Sequence, residues 1–207
     1  MLTSSGIRTS TSGFTILEMM VTIGIFAILV TLTVPTMSTW VANTRVRAVA
    51  DALQNGVRLA QTESLRRSRQ VVFALTNDSP TTLSPAFTAV ASGKYWVVET
   101  IPAMTGSGEV AAFIASGVLS SVGSTVGIQG PAEICFNSVG RLVVNTTASV
   151  PGGGGGCQPG GGLKMSYTYQ VKAATGTTEF DVQVALGGQM RLCDRAQTLS
   201  NSNPYGC

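Results

Sequence analysis

The sequence predicts an α+β fold: one long N-terminal helix packed on a mainly antiparallel β-sheet head. Two observations carry this. From Phe14 to Arg67 a helical pattern runs without a break, first apolar all round and then striped. From residue 68 onward come short alternating segments, separated by Gly-, Ser- and Pro-rich stretches. An amphipathic helix must bury its stripe, and a sheet is the simplest cover.

The first half of the helix has membrane chemistry. Met19 to Met37 carries no charge. At 1.5 Å per residue it is about 28 Å long, close to a bilayer core. Thr22, Thr31, Thr33 and Thr36 can bond back to the helix backbone, so lipid tolerates them. Pro35 is expected to kink the helix or release its last turn where the span ends. The run is longer than the core of a cleaved secretory signal. Arg8 ahead of the span places the N-terminus in the cytoplasm, whereas Arg45 and Arg47 beyond it oppose that orientation. Local charge leaves the direction open.

The second half of the helix is striped. Val46, Val49, Leu53, Val57, Ala60 and Ser64 or Leu65 recur at spacings of three and four. Asn43, Arg47, Asp51, Asn55, Arg58 and Thr62 make the opposite, polar face.

The head follows at once. Arg69–Leu75 and Lys94–Thr100 read as strands. Ala132–Val144 reads as two strands joined at Ser138-Val139-Gly140. Leu163–Ala173 and Thr178–Asp194 supply the last hairpins, with a turn at Gly187-Gly188. Thr105–Gly130 is apolar and rich in Gly and Ser, and its pattern is ambiguous. Pro151–Gly162 reads as a flexible insert.

Composition narrows the chemistry. There is no histidine, so the commonest general base and zinc ligand are both missing. The ten acids are too sparse for paired-carboxylate chemistry, and the glycine run lacks the Lys-Ser/Thr ending of a phosphate loop. No enzyme activity, metal or cofactor is expected. The net charge of +3 is too small to announce a nucleic-acid binder. Cys135, Cys157, Cys193 and Cys207 have no C-x-x-C spacing, so they suggest disulfides in an oxidising compartment. Three pairings are open. Cys135–Cys157 with Cys193–Cys207 is favoured because each closes a local loop; four free thiols are the alternative.

One acid interrupts the apolar start. Gly13-Phe14-Thr15-Ile16-Leu17-Glu18 resembles the processing motif of type IV prepilins and type II secretion pseudopilins. That family shows a short polar leader ending in Gly, then Phe, a few apolar or small residues, Leu and Glu. The resemblance implies a leader of residues 1–13, cleaved after Gly13 by a prepilin peptidase, and N-methylation of Phe14. It implies that Glu18 pairs with the Phe14 amine of a neighbouring subunit during assembly. Pro35 also falls at a typical family position. An acid inside a membrane helix costs about 2.5–3.5 kcal/mol at the centre and less near an end, so a partner is expected. Snorkelling of Glu18 to the interface is the other reading.

The rest resembles the GspH/FimT/FimU group of minor pilins and pseudopilins. Val57–Phe73 is similar to that group's helix end, which carries arginines and runs into a strand. "ICFNSVGRLVV" is similar to its I-x-F-x-x-x-G-R strand pair, and "LGGQMRLCD" to its closing G-R-x-R-x-C strand. The resemblance implies two small sheets on the helix. It implies a transmembrane helix over 14–37, an amphipathic stem over 38–67 and a periplasmic head over 68–207. It also implies other pilins as partners in a filament or tip complex, and the bacterial inner membrane as the site of insertion. In the FimT members the closing Gly-Arg-x-Arg is implicated in binding DNA. Here the matching residues are Gly188-Gln189-Met190-Arg191, so the first arginine is missing. Arg191 and Arg195, with Arg141, Arg66, Arg67 and Arg69, remain the candidate DNA contacts.

Overall fold

Helix α1 runs from Ile16 to Arg67, 52 residues in one element. The computed structural model describes residues 13–79, 81, 87–102, 110–119, 122, 125–144, 157, 165–174 and 178–207. The chain divides into two compact units, Met1–Ser38 and Thr39–Cys207.

In the first unit every described side chain from Gly13 to Thr33 is exposed, most of them apolar. This helix is long and apolar enough to cross a membrane. Thr22 and Thr31 donate to the carbonyls of Met19 and Ile28 at 2.9 and 2.8 Å, and Thr33 to those of Leu29 and Val30. These are the expected back-bonds, and they satisfy the hydroxyls of Thr22, Thr31 and Thr33 within an apolar stretch. Helix α1 continues through position 35. The Pro35 and Thr36 side chains lie outside the described residues, and the expected kink with them.

In the second unit the stripe is buried as read. Val46, Val49, Leu53, Val57 and Ala60 are closed to solvent, and so is Ser64. Leu65 is the exposed member of the Ser64-or-Leu65 pair. The stripe packs on two antiparallel sheets. One has five strands in the order β3-β2-β1-β5-β6 and the other four in the order β4-β7-β8-β9. The strands are β1 (Val71–Thr76), β2 (Tyr95–Thr100), β3 (Phe113–Val118), β4 (Val126–Gln129), β5 (Glu133–Phe136), β6 (Leu142–Val143), β7 (Ser166–Ala173), β8 (Glu179–Ala185) and β9 (Met190–Asp194). Val71, Phe73 and Leu75 of the first sheet and Tyr169, Val171 and Val182 of the second share one core with the helix. The Phe73 ring lies 6.1 Å from Tyr169, edge-on, and 6.4 Å from Trp96. A Cβ at Gly56 would press on the Phe73 and Trp96 rings, so the bare glycine admits both to the helix.

The first sheet is buried on its second face as well. Val72, Ala74, Val97 and Cys135 form a smaller cluster there with Phe87, Ile101 and Cys157. That is why all six residues of β1 are buried. The Cys135–Cys157 and Cys193–Cys207 disulfides are both formed, as favoured. Apart from Cys157, the 151–162 insert lies outside the described residues.

Strand boundaries differ from the reading by a few residues. The first strand starts at Val71 because the chain must first leave the helix. Ser68 adopts a left-handed conformation (φ 51°), and the N–H groups of Ser68 and Arg69 donate to the carbonyls of Leu65 and Ser64. The ambiguous 105–130 stretch holds β3 and β4, two short edge strands; β4 alternates buried and exposed, but over only four residues.

Candidate functional site

Two regions hold the residues singled out above. At the first, Gly13, Phe14 and Thr15 precede the helix, and Thr15 caps it. Its Oγ1 accepts from the Glu18 N–H at 3.2 Å. Thr15 and Glu18 stand at capping-box spacing, and an acid in a first turn also suits the helix dipole. Local chemistry therefore explains part of why a carboxylate is tolerated here. Glu18 is exposed, with no ion pair among the described residues. Phe14 is 78% exposed beside it. Residues 1–12 lie outside the described set.

At the second, three elements meet at the C-terminal end of α1. Gln61 donates from Nε2 to the Gly140 carbonyl at 3.0 Å. Gly140 sits at the β5–β6 turn (φ +73°) and Gly188 at the β8–β9 turn (φ +87°). Leu142 N–H donates to the Leu186 carbonyl at 3.0 Å, tying the two sheets together. A side chain at Gly188 would run into the Gly140 carbonyl and the Gln61 amide. Sequence reading found both turns but not their meeting. The signal was present in Gly140 and Gly188, but nothing in a linear pattern says that two turns share one helical glutamine.

The six candidate arginines are dispersed. Arg66 and Arg67 both hold Glu63, at 2.6 and 2.8 Å. Hydrogen bonds from Arg66 and then Arg67 pull the Glu63 carboxyl down to about 2. Arg141 is exposed on the β5–β6 turn, where Asn137 Oδ1 accepts from its backbone N–H at 2.9 Å. Arg69 follows the helix end, exposed. Arg191 points inward along the chain's tail and donates to the Pro204 and Gly206 carbonyls. With the Cys193–Cys207 disulfide it holds the C-terminal segment on β9. Arg195 lies 3.8 Å from Asp181 and 4.0 Å from Glu179, beyond the far end of β9. Asp181 is buried, which raises its pKa against the opposing pull of Arg195.

Beside the Gln61 junction a groove of about 400 Å³ opens, lined by Arg58, Gln61 and Thr62 of the helix and by residues 187–190. Gln189, at the place of the missing arginine, lines it across from Arg58. Among the described residues no group of three or more His, Cys, Asp or Glu side chains is placed to hold a metal ion.

Residues 8–34 match the family described as the prokaryotic N-terminal methylation motif. No curated protein matches the chain. Two crystal structures of the type IV minor pilin FimU from Pseudomonas aeruginosa (strain PAO1) are similar. One is 14% identical, covering 72% of this chain and 88% of that one with a TM-score of 0.46. The other is 15% identical, covering 70% and 90% with a TM-score of 0.43. The methylation motif lies at the start of the same helix that, further on, is laid on two antiparallel sheets.

Proposed function

We propose that the chain is a minor pilin or pseudopilin. It inserts once in the bacterial inner membrane, is cut after Gly13, is methylated on Phe14, and joins a tip or initiating complex. One observation carries this: the methylation motif opens directly into an exposed apolar helix that continues as the core helix of the head. Glu18, unpaired among the described residues, is the group that meets the Phe14 amine of a neighbour. Two disulfides suit a head on the oxidising, periplasmic side. Between the two kinds of assembly, the disulfides and the long head favour a type IV pilus over a secretion pseudopilus. The role is structural, made of helix packing and head contacts.

Mass spectrometry of the mature protein tests the proposal. Loss of residues 1–13 and one added methyl on Phe14 are expected. A mature chain that starts near Trp40 would overturn it.

DNA uptake is the second reading. Its candidate contacts are Arg141, Arg66, Arg67, Arg69, Arg191 and Arg195; Arg191 is engaged by the Pro204 and Gly206 carbonyls, Arg195 lies near Asp181, and Arg66 and Arg67 share Glu63. A gel shift with the head at about 50 mM salt decides between the two, because phosphate contacts are strongest at low salt.

A further inference from the structure

We infer that the end of the head at the helix C-terminus is a docking surface for an acidic, partly apolar face of a neighbouring protein subunit. This rests on the proposed role as a member of an assembly.

Three apolar side chains stand in solvent there. Leu65 is 49% exposed, Val139 63% and Met165 82%. They belong to different elements, yet the junction described above gathers them. A Cβ on Gly140, next to Val139, would lie 3.3 Å from Leu65. Met165 accepts from Leu186 N–H at 2.8 Å, and the Leu186 carbonyl in turn accepts from Leu142. Soluble surfaces carry single apolar residues without consequence, but a group on one end marks a contact site.

Arginines surround this group. Arg58, Arg66, Arg67 and Arg141 are all exposed. The carboxylate that answers them among the described residues is Glu63. Glu63 is shared by Arg66 and Arg67, which leaves that cluster net positive. Arg58 and Arg141 have no ion pair among the described residues, and Arg58 faces the groove. Positive surplus calls for carboxylates on the partner, and it disfavours a like-charged face.

The apolar centre decides the class of partner. Met and Arg are enriched at protein interfaces, with apolar groups in the middle and charge at the rim. A nucleic acid would satisfy the arginines but leave Val139 and Met165 against a charged backbone.

A photo-cross-linking residue at position 139 of the full-length chain, in the cells that make it, tests the inference. The expected product joins position 139 to an acidic stretch of another protein that carries an N-terminal methylation motif. Its yield should fall about tenfold when Arg58→Glu and Arg141→Glu are combined, a loss typical of one good charged contact. That variant should keep both disulfides and its melting temperature, since both side chains are exposed. A cross-link to nucleic acid overturns the inference, as does one only to a second copy of this chain, or a yield that ignores the charge reversal. So does the absence of any cross-link in a chain that is cut after Gly13. A chain that keeps residues 1–13 and still cross-links an acidic partner overturns the proposed function and leaves the docking surface standing.

Discussion

Glu99 shows how far a single residue can depart from its sequence context. In "KYWVVET" it occupies one step of an alternating strand, and a charged residue there reads as solvent-facing. It is instead fully buried, with neither carboxylate oxygen hydrogen-bonded among the described residues, on the face of the first sheet that also holds Val72 and Cys135. Sequence could not show this, because the cover comes from chain segments far from β2. Burial pushes its pKa from 4.5 up to about 7. A carboxyl that binds its proton more tightly when folded is harmless at low pH. Its cost appears as pH rises past 4.5 and is complete above about 7, on the order of 3 kcal/mol. The melting temperature should therefore fall between pH 5 and pH 8. Glu99→Gln should flatten that fall, and an unchanged slope would assign the pH dependence elsewhere. Gly188 makes the opposite case, a residue whose role the sequence did signal. Its left-handed backbone and its contact with Gly140 and Gln61 leave no space for a methyl group. Gly188→Ala should cost about 1–3 kcal/mol, more than Gly140→Ala, whose nearest neighbour is the pliant Leu65 side chain at 3.3 Å. Denaturant unfolding of the two variants ranks them.

Elements were legible where burial is one-sided. The helix stripe was read residue by residue, because spacing of three and four survives whatever covers it. Strands β1, β2, β5, β6, β7, β8 and β9 were found within a few residues, because hydrophobic runs and glycine turns bracket them. Strands β3 and β4 were not, since "FIASGV" is an edge strand with no buried residue and "VGIQ" an edge strand of only four residues. The C-terminal segment was legible only as two cysteines. Arg191 was read as a DNA contact, and its geometry adds a structural role. It holds the Pro204 and Gly206 carbonyls while Cys193–Cys207 closes the segment. Closing a loop of about 15 residues is worth about 3 kcal/mol. Replacing Cys193 and Cys207 by Ser should lower stability by about that much. Arg191→Gln should cost less and speed hydrogen exchange at Gly206 and Cys207 without unfolding β7 and β8. Equal protection of the segment in wild type and Arg191→Gln would remove Arg191 from this role.

At the scale of the whole molecule, one helix serves two environments, and the division falls near Ser38. Residues 13–33 bury nothing within the chain, whereas from Val46 onward the stripe is closed over by both sheets. An apolar helix face left bare in this way calls for an apolar environment from outside the chain. A chain beginning at Thr39, exported to an oxidising compartment, should be soluble, form both disulfides and unfold in one cooperative step by circular dichroism. Aggregation of that fragment would show that the head needs the span. The same division separates two failures in the full-length protein. Glu18→Gln keeps the apolar run and the Thr15 cap, whose bond is to the backbone N–H of residue 18. Membrane insertion and cleavage after Gly13 should persist, while recruitment into the assembly should drop, because an amide offers the neighbour's Phe14 amine no charge. Fractionation reads the first, intact mass the second, and cross-linking to other subunits the third. Full recruitment of the Glu18→Gln chain would leave Glu18 with only its place in the helix cap.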